Sequence, residues 1–151
     1  MNVPEDVARL LAGAPAVHAD EQAFPLLTMD ENGYPHTALL SRAELDPAAD
    51  RRALFAVVAS PGTQANLRRH PLAALLAVDG TICHHLELSM VRSLAVGDLL
   101  GCVFTARHHK RDSLNIPLSP LGFHTTRHLT ELENWRLSAD VLTTLQQESS
   151  E

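Results

Sequence analysis

The stretch FPLLTMDENGYPHTALL, residues 24–40, decides the fold of this chain. Two apolar segments flank the pair Asn32-Gly33, and an Asn-Gly pair supplies the positive φ angles that a tight hairpin turn requires. We therefore predict a β-hairpin with strands over 24–30 and 35–45. This hairpin is expected to start an antiparallel sheet.

The stretch LFAVVASPGTQANLRRHP, residues 54–71, follows after a short loop. Its apolar part predicts a third strand over 53–60, buried on both faces because almost every residue in it is apolar. Ser60 is a favourable N-cap and Pro61 suits the first helical position, so we predict a helix over 61–70.

The rest of the chain adds further strands and two helices. Short or alternating apolar segments predict strands at 72–78, 82–95, 99–110 and 121–128. Helices are predicted over 4–12, and over 130–147 with Thr130 as the cap and Leu132, Trp135, Leu142 and Leu145 as the apolar stripe. The expected fold is mainly β (α+β), an antiparallel sheet of six to seven strands closed into a small barrel with peripheral helices.

The composition of the chain limits the number of domains and the classes of function that are expected. The chain has 151 residues, of which 45% are hydrophobic, so 1–151 is expected to be a single domain with 1–20 as an N-terminal helix and linker. A net charge of −6 argues against a broad basic surface for nucleic acid. No apolar run reaches the roughly 20 residues of a membrane span. Glu5 and Asp6 stand where a signal peptide is positive, which favours a cytoplasmic protein.

The two cysteines, Cys83 and Cys102, are too few for a disulfide framework. Strand alternation places Cys102 on an apolar face, opposite residue 92 or 94, whereas Cys83 lies on the other face of the preceding strand. We therefore predict that the two thiols form no disulfide with each other.

The start of the helix after the third strand is the strongest candidate site. The first amides of a helix have no internal partner and the helix dipole adds positive charge, so a phosphate fits there. Gly62 allows a close backbone approach, Ser60 and Thr63 add hydroxyl groups, and Gln64 and Asn66 add amides. The alternative is that Ser60 caps a helix that binds nothing.

Paired histidines form a second candidate. His84-His85 and His108-His109 lie on adjacent predicted strands, so one face could bring two imidazoles together, with Glu87 as a neighbour on the other face. A metal site needs several converging ligands, and this sequence lacks a recognised spacing such as His-Glu-x-x-His. Hydrogen-bonded strand histidines are the favoured interpretation, and no metal ligands are assigned.

The order of these motifs resembles the FMN-binding split β-barrel family, the pyridoxamine-phosphate-oxidase-like proteins. Gly33, Pro35 and His36 match the family's return strand after the first turn, although for His36 we favour simple packing beside the hairpin turn. Residues 66–71, NLRRHP, match its helix, and RDSLNIPLSPLGF (111–123) is similar to its late loop and strand. The resemblance covers roughly residues 24–123.

The resemblance implies a homodimeric split β-barrel with FMN at the dimer interface. The flavin phosphate would lie around the turn after the third strand, at Ser60, Gly62, Thr63, Gln64 and Asn66. Two departures concern charge. Thr63 stands where many members carry Lys, and the second strand lacks the basic residue that others direct at the phosphate, which leaves Arg42 as the nearest base.

The expected function is therefore that of an FMN-binding flavoprotein, similar to an oxidoreductase, with a deazaflavin or an empty barrel as alternatives for the cofactor. No residue is assigned as a catalytic acid or base. Two other functions stay open. One is a cofactor-free dimeric binding or regulatory protein on the same barrel, and the other is a haem- or metal-binding protein that uses the paired histidines.

Overall fold

A computed structural model describes residues 1–150. The elements are α1 (Glu5–Leu11), β1 (Asp20–Gln22), β2 (Phe24–Met29), β3 (Pro35–Leu40), β4 (Leu45–Pro47), β5 (Leu54–Val58), α2 (Pro61–Arg69), β6 (Leu72–Asp79), β7 (Ile82–Val96), β8 (Leu99–Ser113), β9 (Gly122–His124), α3 (Arg127–Leu132) and α4 (Trp135–Ser149).

A seven-stranded antiparallel sheet forms the centre of the molecule, in the order β3-β2-β6-β7-β8-β5-β4. Its two edge strands, β3 and β4, are joined by the short segment 41–44, so the sheet must curl to bring its edges near each other. The edges are not hydrogen-bonded neighbours, which leaves the half-barrel split along one side. The mainly β fold predicted from the sequence is confirmed.

The core has two parts because β5 is covered on both faces. Leu54, Ala56 and Val58 join the cluster inside the curled sheet. Phe55 and Val57 face outward and pack in a second cluster with residues of α4. All five residues of β5 are buried, as the sequence predicted. A buried strand of this kind holds the start of α2 in a fixed place.

The predicted first hairpin is confirmed, but its return strand is shorter than expected. Asp30 Oδ1 accepts hydrogen bonds from the Asn32 and Tyr34 amides, at 2.9 and 2.8 Å. The prediction of one strand over 35–45 is wrong, because the Glu44 amide bonds to the Ser41 carbonyl at 3.0 Å and turns the chain. The residues after this turn form β4 at the opposite edge of the sheet.

The end of the chain differs more from expectation. The predicted strand over 121–128 is wrong beyond β9, because Thr126 Oγ1 accepts a hydrogen bond from the Leu129 amide at 3.0 Å and begins α3. The predicted helix over 130–147 is divided, since Asn134 has a φ of 50° and separates α3 from α4.

Thr126, and not Thr130, is therefore the cap at this end of the chain. Of the predicted apolar stripe, Trp135, Leu142 and Leu145 are buried, but Leu132 is 68% exposed. Within residues 1–150, no helix is long and apolar enough to cross a membrane.

The long hairpin β7–β8 contains two register shifts. One lies between Met90 and Arg92, and it places Cys102 opposite Ser93 instead of residue 92 or 94. The prediction failed by one residue because strand alternation does not reveal a bulge. Both cysteines are free thiols, as predicted, with Cys83 opposite Asp112 and far along the hairpin from Cys102.

Candidate functional site

The start of α2 leaves one backbone amide free. Ser60 is the N-cap, as predicted, and its Oγ accepts a hydrogen bond from the Thr63 amide at 3.3 Å. The Gln64 amide bonds to the Ser60 carbonyl at 3.0 Å, and Pro61 has no amide hydrogen. The Gly62 amide therefore has no partner within residues 1–150, and it stands at the positive end of the helix dipole.

The imidazole of His36 lies beside Gly62. A Cβ placed on Gly62 would be 3.7 Å from His36 Cε1, 3.8 Å from His36 Nε2 and 3.9 Å from Ser60 Oγ. Gly62, Ser60 and His36 therefore lie close together at the start of α2. The sequence interpretation gave His36 a packing role, but β3 and the packing of α2 against it bring the ring to the helix start.

His36 and Ser60 line a groove of about 300 Å³ in the split between the sheet edges, and Gly62 lies next to it. One wall is β3 and the other is the end of β5. The groove is lined by His36, Thr37, Ala38, Leu39, Leu40, Glu44, Val58, Ala59, Ser60 and Glu133. Larger grooves of about 620 and 760 Å³ lie against α4 and on the outer face of the sheet, away from the start of α2.

Three of the five residues predicted at the phosphate site stabilise the turn at the start of α2 by packing and hydrogen bonding inside the protein. Thr63 is fully buried, and its Oγ1 has no hydrogen-bond partner within residues 1–150. Asn66 is also buried and donates to Thr28 Oγ1 at 3.0 Å. Gln64 Nε2 donates to the carbonyls of Val58 and Asp98, at 2.9 and 2.8 Å. Ser60 is the one predicted residue that lines the groove, and Gly62 lies next to it.

The basic residue nearest in sequence, Arg42, is engaged elsewhere. Its Nη2 lies 2.6 Å from Glu21 Oε1, and its Nε donates to the same oxygen at 3.0 Å. Arg42 lines the groove against α4 instead. The side chain that the sequence pointed to is therefore held away from the start of α2.

Glu44 gives the groove an unusual acidic group. Burial raises its pKa from 4.5 to about 7, the hydrogen bond donated by Ser41 Oγ lowers it, and the nearby charge of Glu133 raises it. Ser41 Oγ lies 2.7 Å from Glu44 Oε1. A carboxyl whose pKa is shifted this far inside a cleft marks a candidate functional site. The sequence around Glu44 does not predict this raised pKa, because the residues that bury Glu44 belong to elements that are distant in the sequence.

The paired histidines meet across the β7–β8 hairpin as the sequence allowed. His84 Nδ1 lies 2.9 Å from His109 Nε2 on the inner face. Glu87 and His108 are directly opposite each other in the register, so they share the other face. Asp6 of α1 lies close to His84 and His109. The local sequence pattern does not predict this proximity.

Comparison with known proteins shows the fold. No protein-family model and no curated protein matches this sequence. Among solved structures, the styrene monooxygenase flavin reductase from Pseudomonas putida is 10% identical with a TM-score of 0.56, and the match covers 73% of this chain and 90% of that one. This chain has the fold of a flavin reductase.

Two further structures share the same architecture. An F420 reductase is 12% identical with a TM-score of 0.54, over 72% of this chain and 98% of that one. Component B of nitrilotriacetate monooxygenase from Mycobacterium thermoresistibile is 8% identical with a TM-score of 0.53, over 71% of this chain and 77% of that one. The fold implied by the resemblance in the sequence is confirmed, while identities this low carry no residue roles.

Proposed function

We propose that this chain is a flavin-dependent oxidoreductase that binds FMN with its phosphate at the start of α2. The observation that carries the proposal is the free Gly62 amide at the start of α2, since Gly62 lies next to Ser60 and His36, which line a groove. A helix start with a free amide and no Cβ in the way is a suitable phosphate site. A flavin reductase and an F420 reductase share the fold, which supports a ligand of the flavin or deazaflavin class.

The five residues of the predicted site contribute in two ways. The Gly62 amide and the Ser60 hydroxyl donate to phosphate oxygens, and His36 adds a third polar group. Thr63, Gln64 and Asn66 hold the turn in shape through their burial and hydrogen bonds. No Arg or Lys lines the groove among the described residues, so phosphate affinity depends on the amide and the helix dipole.

A bound flavin supplies hydride transfer, and the chain's own residues orient it and exclude water from it. The groove of about 300 Å³ accommodates the phosphate end of the nucleotide. Thr37 and Leu39 are exposed on the outside of β3 and would contact the rest of the cofactor if it lay there. A second surface is needed to cover it there.

We propose that a second copy of this chain supplies that surface. Met29, Leu39 and Leu72 are 44%, 56% and 48% exposed. Met29 and Pro25 lie on the outer face of β2, and Leu39 shares that face because it pairs with Pro25. Leu72 also shares it, because it is two residues before Ala74, which pairs with Leu27 of the same face. Exposed apolar residues grouped on one sheet face mark an interaction surface. Leu39 also lines the groove, so the dimer contact and the cofactor would meet there.

The test is a fluorescence-quenching titration of the protein with FMN, riboflavin and 5-deaza-FMN. FMN is expected to bind at least tenfold more tightly than riboflavin, because only FMN carries the phosphate. Tighter binding of 5-deaza-FMN than of FMN would make the cofactor a deazaflavin. Equal affinity for FMN and riboflavin would contradict the phosphate site, and no binding of any flavin would favour a cofactor-free dimer.

A further inference from the structure

Asp6, His84 and His109 come together at one end of the half-barrel. Each offers one ligand atom, and these atoms lie within 4.8 Å of one another. The two imidazoles are the closest pair, with His84 Nδ1 2.9 Å from His109 Nε2 and ring centroids 5.2 Å apart. The three residues belong to α1, β7 and β8, so the cluster joins the N-terminal helix to the central hairpin.

The register of β7 and β8 and the packing of α1 bring these three residues together. His84 pairs with Arg111 and Leu86 pairs with His109, so the two histidines are diagonal neighbours on the inner face of the hairpin. The helix α1 is fixed over this end of the sheet by Val7 and Leu11, both at most 1% exposed. Asp6 lies in the first turn of that helix and therefore points toward the pair.

The hydrogen bond between the rings leaves part of the ligand capacity of this cluster unused. His84 is 1% exposed, and it faces His109 through its Nδ1 and not through its unpartnered Nε2. In the bond between the two rings one nitrogen has to donate and the other to accept, so the two lone pairs cannot both be used. A cation placed between them would use both lone pairs at once.

The spacing of the nitrogens is close to what such an ion requires. Zn²⁺ binds imidazole nitrogen at about 2.0–2.1 Å in a tetrahedral arrangement, so two nitrogens on one ion lie roughly 3.3 to 3.4 Å apart. The observed 2.9 Å has to widen by about 0.4–0.5 Å when the ion enters. The Asp6 carboxylate is only half-buried, and its oxygen lies within 4.8 Å of the nitrogens, so it has to move by up to roughly 1.5 Å to join them.

Outer contacts orient the carboxylate. Asp6 Oδ1 accepts from the Val7 amide at 2.9 Å, and Oδ2 accepts from Arg111 Nε at 3.1 Å. Carboxylates that bind metals are commonly held by hydrogen bonds of this kind. Arg111 also places a positive charge near the cluster, which lowers affinity and has to be overcome by the three ligands.

We propose that Asp6, His84 and His109 form a binding site for a divalent transition-metal cation such as Zn²⁺. Two imidazole nitrogens with one carboxylate oxygen are a ligand set for such ions, and hard cations such as Mg²⁺ would be disfavoured. The bound ion ties α1 to the β7–β8 hairpin, so it stabilises the folded chain in proportion to its occupancy. The site is remote from the start of α2 and does not depend on flavin binding.

The experiment uses tag-free protein treated with a chelator and then titrated with Zn²⁺ in competition with a chromophoric chelator. One Zn²⁺ per chain is expected to bind. Co²⁺ bound in its place should give the visible absorption bands of an ion with a low coordination number. His109→Ala should weaken Zn²⁺ binding roughly tenfold or more, and Asp6→Asn should weaken it about tenfold. Zn²⁺ should also raise the melting temperature of the wild type and not that of His109→Ala.

His108→Ala is the matched control, because this neighbour is exposed and lies on the opposite face of the same strand. Its Zn²⁺ affinity should equal that of the wild type. Equal affinity in His109→Ala and the wild type, or the same loss in His108→Ala as in His109→Ala, would overturn the site. If His109→Ala does not fold, Asp6→Asn decides, since this residue is half-buried and keeps its size, although Asn can accept only one of the two hydrogen bonds that Asp6 accepts.

Discussion

His36 Nε2 lies 3.8 Å from the position that a Cβ on Gly62 would occupy, so a ring on β3 and a helix start on α2 share one surface point. These two residues are far apart in the sequence and meet across the split of the sheet. A negative side chain at Gly62 would stand where the phosphate is proposed to bind. It would also favour the helix, because an acidic group near the helix start is stabilising.

Gly62→Asp should therefore separate stability from ligand binding. We expect an unchanged or slightly higher melting temperature, together with a loss of FMN affinity of a hundredfold or more by fluorescence titration. His36→Ala should weaken FMN roughly tenfold, since a hydrogen bond to a charged group contributes about 1.5–3 kcal/mol. Riboflavin binding should change little in either variant. FMN affinity equal to that of the wild type in both would refute the site.

Thr63→Val should stabilise the protein. The Thr63 hydroxyl is buried and unpartnered within residues 1–150, and a buried unsatisfied polar group costs about 1–3 kcal/mol. Replacing it with a methyl group of similar size removes this cost, so the melting temperature should rise by a few degrees in calorimetry. FMN affinity should stay within twofold, with Ser60→Ala as the contrasting variant that weakens FMN. A large loss of FMN affinity in Thr63→Val would mean that the hydroxyl contacts the ligand directly.

Glu44 should make stability fall as the pH rises. Its folded pKa of about 7 lies above the ordinary 4.5, so between these values the folded chain holds a proton that the unfolded chain has lost. Stability is therefore highest below about pH 4.5 for this group, falls through pH 7 and then levels off. The difference corresponds to at most about 3 kcal/mol.

Glu44→Gln removes this pH dependence. Denaturant unfolding should show the variant more stable than the wild type at pH 8 and equal to it near pH 5. The variant should also bind FMN better at pH 8, because the charge on Glu44 lies in the same groove as the phosphate. A wild-type stability that does not change between pH 5 and 8 relative to the variant would contradict the raised pKa.

Gly101 should not tolerate a side chain. A Cβ there would lie 2.8 Å from Val141 Cγ1 and 3.3 Å from Leu145 Cδ1, since α4 packs closely on β8. Gly101→Ala is expected to destabilise the chain by about 1–3 kcal/mol in denaturant unfolding. Adding Val141→Ala makes room for the new methyl group, so the double variant should lose less stability than the sum of the single variants.

Leu72→Glu should separate the two copies of the proposed dimer. Light scattering is expected to give about twice the 16.5 kDa chain mass for the wild type and a monomer for the variant. A charge on this outer face would have to be buried in the interface, which is costly. Arg52→Glu is a suitable control, because Arg52 is exposed at a distance from the proposed interface. A monomeric wild type would contradict the dimer.

Local chemistry explains what the sequence could predict. The Asn-Gly turn, the apolar β5 segment and the Ser60 cap are each determined within a few residues. The same is true of the alternation that brought His84 and His109 to one face. The division of the C-terminal helix at Asn134 was missed because a single residue in the left-handed region interrupts an otherwise helical pattern.

Contacts between distant segments account for the rest of the candidate site. His36 reaches Gly62, and Asp6 reaches the histidine pair, only after the sheet has curled and α1 has packed. Likewise, Arg42, the base nearest in sequence to the predicted phosphate site, pairs with Glu21 on β1, a strand that the sequence did not predict. Short motifs carry no information on such pairings.

The order of strands also has a consequence for how the chain folds. β6, β7 and β8 follow one another in sequence and occupy the middle of the sheet, so they can pair with little loop-closure entropy. The strands at the two edges, β3 and β4, can complete the sheet only after their neighbours are in place. The groove between those edges is therefore the last region to acquire its native shape and the first to open locally. Regions with low local stability are where proteins usually admit ligands.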